Sequence, residues 1–281
     1  MITSYRESKL EDIEKRMYTY LTVVRNWFIL FLLLFIASLV YWFINPTNIM
    51  GAAFTLASLM PLLALGVQYV RENNIYRKDS LKILTEDLDL KKYDDILDYE
   101  SQVSLKTNWD RIIIRQAELA WLRGDFKDTK DTKGTDYFIE MINPKKVRLS
   151  PKERTPLLLT YYLITFANKV FTKRDFGLQA CLDDIKTLAV QNDAEADQKA
   201  YTQQIVTLMA SVIGEGKAIE DFEEIKVSNK LESILRDYLL AENARLLDQK
   251  DQAKKLYKKI SQEEASLYLV REAKAALKKL K

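Results

Sequence analysis

Carboxylates, a glycine-rich stretch and one thiol are the groups here whose chemistry could carry catalysis. Adjacent acidic pairs occur at Asp94–Asp95, Asp183–Asp184 and Glu223–Glu224, and paired carboxylates suit metal binding or general acid–base work. Neighbours on a helix project about 100° apart, so such pairs do not converge on one ion or proton, and a solvated face is expected. The stretch GEGKA (Gly214 to Ala218) ends like the phosphate-cradling pattern GxxxxGK[ST]. Ser211 stands where the first glycine belongs, and Ala218 where the magnesium-binding hydroxyl belongs, so a turn is expected. Cys181 is the only cysteine. It sits at a small-residue position in LQACLDDI and is expected to pack rather than react. No intrachain disulfide can form, which suits a reducing compartment. Histidine is absent, which removes Ser-His-Asp and Cys-His catalysis, histidine bases and His-ligated zinc from this chain. We therefore expect no catalytic residue, no cofactor and no metal site, and a protein that is not an enzyme.

Residues suited to binding are more numerous. Arg271, Lys274, Lys278 and Lys281 form a basic stripe near the end of the chain. It suits anionic lipid or an acidic partner, or else the polar outer face of a terminal helix. Tyr161, Tyr162, Phe166 and Phe171 would line a partner-binding groove or pack in a core. Gly51, Ala53, Ala57 and Ser58 form a small-residue patch that permits close helix approach, to a neighbouring helix of this chain or to a partner's. Net charge is +3, from 43 basic and 40 acidic residues, a balance that does not favour nucleic acid.

These residues sit on elements of two kinds. Trp27 to Ile44 is 18 residues without a charge, and Ile49 to Val70 is 22 more. As helices they reach roughly 27 and 33 Å, against a hydrocarbon core near 30 Å. Trp27, Tyr41, Trp42 and Tyr69 lie near their ends, where amphipathic rings favour the membrane interface. A signal peptide fits poorly, because 26 residues precede the first run and a second run follows at once. Soluble core helices seldom stay uncharged for so long. The connection NPTN (Asn45 to Asn48) is turn chemistry and joins antiparallel neighbours. Arg6, Lys9, Lys15, Arg16 and Arg25 precede the first run, and Arg71, Arg77 and Lys78 follow the second, whereas the turn has no Lys or Arg. The positive-inside rule then puts both ends in the cytoplasm. Neither run contains an ionisable Asp, Glu, Lys or Arg, which argues against an ion or proton pathway built by this chain alone. Pro61 is expected to kink the second helix. Before the first run, Leu10, Ile13, Met17, Tyr20 or Leu21, and Val24 recur at helical spacing. That helix would lie on the membrane surface, or continue the span and pack on the soluble part, the reading we favour.

From Arg71 onward the sequence reads as helix after helix. Seven Gly and five Pro are few for a sheet protein. Ser150 to Glu153 (SPKE) and Ser261 to Glu264 (SQEE) look like helix starts. Apolar residues recur every three or four positions at Leu231, Ile234, Leu235, Tyr238 and Leu239, and again at Leu267, Val270, Ala273, Leu277 and Leu280. Similar turns surround Tyr93, Phe126, Phe176, Ala218 and Ala253, at separations of 33, 50, 42 and 35 residues, the first and last near a period of about 34. In AENARLLDQKDQAKKLYKKI (Ala241 to Ile260), Ala244 and Leu247 precede the turn, Ala253 takes a small packing position and Tyr257 a later aromatic one. Here, and in AELAWLRGDF (Ala117 to Phe126), the chain resembles tetratricopeptide repeat (TPR) proteins, over roughly residues 80 to 281. It departs from them at a polar insert, Lys127 to Asp136, and at the proline-bearing stretch Asn143 to Pro156. The resemblance implies a helical-hairpin array with a concave protein-binding surface and a break near Asn143 to Pro156.

The expected architecture is thus all-α. Residues 1–26 form a cytoplasmic amphipathic segment, residues 27–70 a transmembrane helical hairpin, and residues 71–281 a cytoplasmic TPR-like domain with a sub-boundary at 143–156. The expected role is a two-pass, membrane-anchored adaptor or scaffold in a bacterial cell membrane, with membrane lipid and one protein partner as its contacts. The alternative is an accessory or immunity-type subunit whose spans bind an integral membrane transporter or toxin target.

Overall fold

Asn45 and Asn48 close one helix and open the next. Asn45 donates its side-chain amide to the Tyr41 carbonyl at 3.2 Å, and the Asn48 carboxamide oxygen caps the following helix by accepting from Met50 N at 3.0 Å. This is the turn chemistry that short polar side chains supply at helix ends. The structure, a computed structural model, describes residues 4–104, 108–220 and 224–280. It is all-α, with no strand among the described residues. By contacts the chain falls into two compact units, residues 1–83 with 98–104, and residues 84–97 with 105–281.

The first unit holds α1 (Leu10–Ile44), 35 residues long, and most of α2 (Ile49–Asp87), 39 residues long, whose last four residues fall in the second. At ~1.5 Å per residue both exceed the thickness of a bilayer's hydrocarbon. Both are long and apolar enough to cross a membrane, by length and composition. The amphipathic segment before the first run is continuous with it, through one wide turn at Thr19–Val24. Ile13, Met17, Leu21 and Val24 are its buried stripe, as the helical spacing requires. From Arg25 to Ile44 no residue is buried. α2 is helical through Pro61 and buries Gly51, Thr55, Ser58 and Leu62 at spacings of three and four. That stripe faces α1: a Cβ on Gly51 would lie 3.3 Å from the Tyr41 ring and 3.4 Å from the Trp42 backbone.

The second unit holds α4 (Trp109–Arg123), α5 (Thr135–Glu140), α6 (Pro151–Phe171), α7 (Leu178–Thr187), α8 (Asp193–Met209), α9 (Lys230–Leu246), α10 (Lys250–Ile260) and α11 (Tyr268–Lys279). α3 (Leu90–Val103) contributes its first half. Ile113 and Ile114 of α4 pack with Leu157, Leu158 and Tyr161 of α6 and with Val147 of the intervening loop. The β-branched stretch RIIIR (Arg111 to Arg115) is thus helical, its isoleucines buried among other apolar groups. α6 begins where SPKE predicts, with Ser150 at the cap and Pro151 in the first turn. SQEE does not start a helix. Ser261 instead closes α10, its N–H donating to Tyr257 O at 2.8 Å, and α11 begins at Tyr268. A capping pattern cannot act where the preceding helix's own carbonyls already claim its first residue.

α9 and α10 form an antiparallel pair closed over Ala244 and Ala253, both buried, and over Tyr257, whose hydroxyl donates to Glu242 Oε1 at 2.5 Å. α11 packs on α10 and also returns to α4. Gly124 ends α4 with φ +82°, a conformation glycine adopts without strain, and a Cβ there would meet the Tyr268 ring at 2.7 Å. An open array of nearest-neighbour hairpins makes no such return contact.

Candidate functional site

The reactive groups do not assemble. Among the described residues no three Asp, Glu or Cys side chains stand close enough to hold a metal. Asp94 is paired with Arg123 at 2.7 Å, Asp183 accepts from Gln179 at 2.8 Å, and Asp95 and Glu224 lie on the surface or its margin. Glu223 lies outside the described residues. GEGKA closes the wide helical turn Ala210–Glu215 that continues α8, with Gly216 at its end. Lys217 N donates to Ser211 O at 2.9 Å, the Ser211 hydroxyl donates to Lys217 O at 2.9 Å, and the Lys217 ammonium pairs with Glu215 at 2.9 Å. Cys181 is half-buried, and burial pushes its thiol up to about 12, with Asp184 adding to the shift. Burial likewise pushes the Tyr93 and Tyr268 phenols up to about 12. These shifts disfavour the ionised, nucleophilic forms.

The four aromatic residues of α6 divide. Phe166 is 1 % exposed, its ring 5.4 Å from that of Phe176, and Tyr161 lies in the α4–α6 core. Tyr162 packs at the margin of that core. Phe171 stacks with Phe126 at 6.1 Å and meets Trp121 and Tyr268 edge-on at 5.9 and 5.8 Å. Their area is thus spent largely on internal packing. Sequence periodicity could not separate a groove from a core, because both want rings at helical spacing.

The basic stripe also divides. Arg271 donates to Arg123 O at 2.5 Å and to Ser266 O at 2.7 Å, pinning α11 to the end of α4. Lys274 and Lys278 are exposed, one turn apart. Lys281 lies outside the described residues.

The small-residue patch of α2 splits by face. Gly51 and Ser58 are buried against α1, and the Ser58 hydroxyl lies 3.4 Å from that of Ser38. Ala53 and Ala57 are exposed on another side, in line with exposed Ala64. Gly51 and Ser58 are seven apart, Ala53 and Ala57 four, and Ala57 and Ala64 seven, all helical repeats, so spacing alone could not assign the faces.

Beyond the apolar part of the hairpin lies a polar cluster that the sequence did not announce. Glu72 is 5 % exposed. It accepts from Arg16 Nε at 3.1 Å and from the terminal guanidinium nitrogen at 2.8 Å, and from the Tyr5 hydroxyl at 3.4 Å. The Arg16 guanidinium also covers the Tyr5 ring, 4.1 Å from its centroid. Asp79 accepts from Ser4 Oγ at 2.6 Å and Tyr5 N at 2.9 Å. Burial holds the Tyr5 phenol well above its ordinary range. These bonds strap residues 4–8 onto α2. A carboxylate two residues past an apolar run was the available signal, and its partners, 56 and 67 positions earlier, gave no local pattern.

Comparisons with protein-family models, with curated proteins and with solved structures found no match.

Proposed function

We propose that the chain is a two-pass membrane protein, with both ends in the cytoplasm, that acts as an anchored adaptor. One observation carries the anchor: the uncharged run from Trp27 to Ile44 buries no residue. Phe43, Ile44 and Ile49 are 70 to 87 % exposed at the hairpin's tip. In water that surface would be an aggregation site, whereas hydrocarbon solvates it without loss. The basic residues flanking the hairpin and the bare turn support cytoplasmic ends. A TPR-like use of the α9–α10 hairpin surface is part of this reading, and anchoring raises the local concentration of what it binds.

The alternative, in which the spans bind an integral membrane protein, is favoured by one feature: Ala53, Ala57 and Ala64 present small side chains outward, where a second helix could approach closely.

In-cell photocrosslinking from α10 and α11, repeated after exchanging residues 27–70 for an unrelated hairpin, separates the two. The adaptor reading predicts a discrete protein adduct that survives the exchange. An adduct lost despite normal insertion supports the spans, and no protein adduct from α10 and α11 contradicts the adaptor.

A further inference from the structure

A groove of about 870 Å³ runs along α2 beside Phe28 of α1. Two rows of α2 side chains, each spaced by four, make its bed. One runs Leu62, Gly66, Val70 and ends in Asn74; the other runs Leu63, Val67 and ends in Arg71. Phe28 of α1 forms the opposite wall. At Gly66 the Phe28 ring comes down onto the bed: a Cβ there would lie 3.1 Å from that ring. Arg71 and Asn74 are exposed, and both stand at the same end of the groove, just past the apolar run. The neighbouring carboxylate, Glu72, is turned away into its bonds with Arg16 and Tyr5.

We propose that this groove holds one anionic phospholipid from the leaflet on the Arg71 side, an inference that rests on the membrane-anchored reading. From Leu62 to Val70 the bed is roughly 12 Å long, close to the depth of one leaflet's hydrocarbon. An acyl chain fits a bed without hydrogen-bonding groups. The lining itself is apolar, so the phosphate would sit just past this end, where the exposed Arg71 guanidinium can give charge-assisted hydrogen bonds and the exposed Asn74 amide one more. Charge complementarity therefore favours an anionic headgroup, and it sits at the depth where a headgroup lies.

The test uses the purified full-length protein in dodecyl maltoside with equimolar dioleoylphosphatidylglycerol and dioleoylphosphatidylcholine, read by native mass spectrometry. Wild type is expected to retain one phosphatidylglycerol in preference to phosphatidylcholine. Arg71→Gln should reduce that preference about fivefold, the worth of one basic residue at a membrane surface. Val67→Trp, at an exposed lining position, should lower retention of both lipids. Lys78→Gln, outside the groove, should change neither. Equal retention of the two lipids by wild type, or a preference that survives Arg71→Gln, overturns the proposal, as does a protein crosslinked from Val67 in place of lipid. Carbonate extraction of membranes runs in parallel. Retention of wild type without headgroup preference overturns the lipid site alone, whereas release of wild type overturns the anchor and the lipid site together.

Discussion

Cys181 shows how far a single residue type speaks in sequence. Its small-residue position in LQACLDDI predicts packing, and burial in the structure raises the thiol from its ordinary 9.0 to about 12. The fold therefore favours the protonated form. That contribution to stability is complete below the unfolded thiol's value and is lost as pH rises from about 9 towards 12. Alkylation of the folded full chain should climb about tenfold per pH unit through pH 10 without a plateau, while the denatured chain levels off near its ordinary value. A plateau near 9 in the folded protein would mean that the thiol is not desolvated. Glu72 is the opposite case, a residue whose importance the sequence hides. Glu72→Ala removes the buried carboxylate that accepts from both the Arg16 guanidinium and the Tyr5 hydroxyl, and losing charge-assisted hydrogen bonds at a buried site costs about 1.5–3 kcal/mol. Thermal unfolding in detergent should show this, with earlier proteolysis in residues 4–8. An unchanged melting temperature would place the strap outside the folded core.

At the scale of elements, periodicity was informative wherever one face is buried. The stripes of α9 and α11 and the start of α6 at Ser150 follow from apolar spacing and capping chemistry. What failed was local pattern read without its neighbours. SQEE has a capping box's residues, but it belongs to the end of α10. The faces of α2 were hidden for a related reason: every side of a hydrocarbon-length helix is apolar or small, so no amphipathic contrast marks the contact side. The structure divides the patch, and the division can be tested. Gly51→Leu puts a branched chain into the Tyr41–Trp42 contact and should lower the melting temperature of the hairpin, at about 1–3 kcal/mol for overpacking. Ala57→Leu, on the exposed side, should leave it within about 0.5 kcal/mol. In the second unit Ala253→Leu should cost about 1–3 kcal/mol, because Ala253 is fully buried between α9 and α10. Differential scanning calorimetry of the detergent-solubilised chain measures all three.

The whole molecule combines a long apolar hairpin with an α-helical unit rich in internal ion pairs. Asp237, 3 % exposed, is held by both Arg236 and Lys259, and Asn243 brackets the backbone of Ile219 with two hydrogen bonds of 2.8 and 2.9 Å. The fold class and the two apolar helices were legible because they depend on composition and run length, which need no partner to be read. The fate of the aromatic residues of α6 was not, since burial is decided by helices distant in sequence. The central claim is that the hairpin crosses the membrane with its tip outside and both ends inside. Site-directed labelling in a Cys181→Ala background tests it most directly, with single cysteines placed at Thr47 in the turn and, separately, at Lys278 in α11. In intact cells a membrane-impermeant maleimide should label Thr47→Cys at once and Lys278→Cys only after permeabilisation. Labelling of both positions in intact cells, or protection of Thr47→Cys with Lys278→Cys exposed, would contradict it.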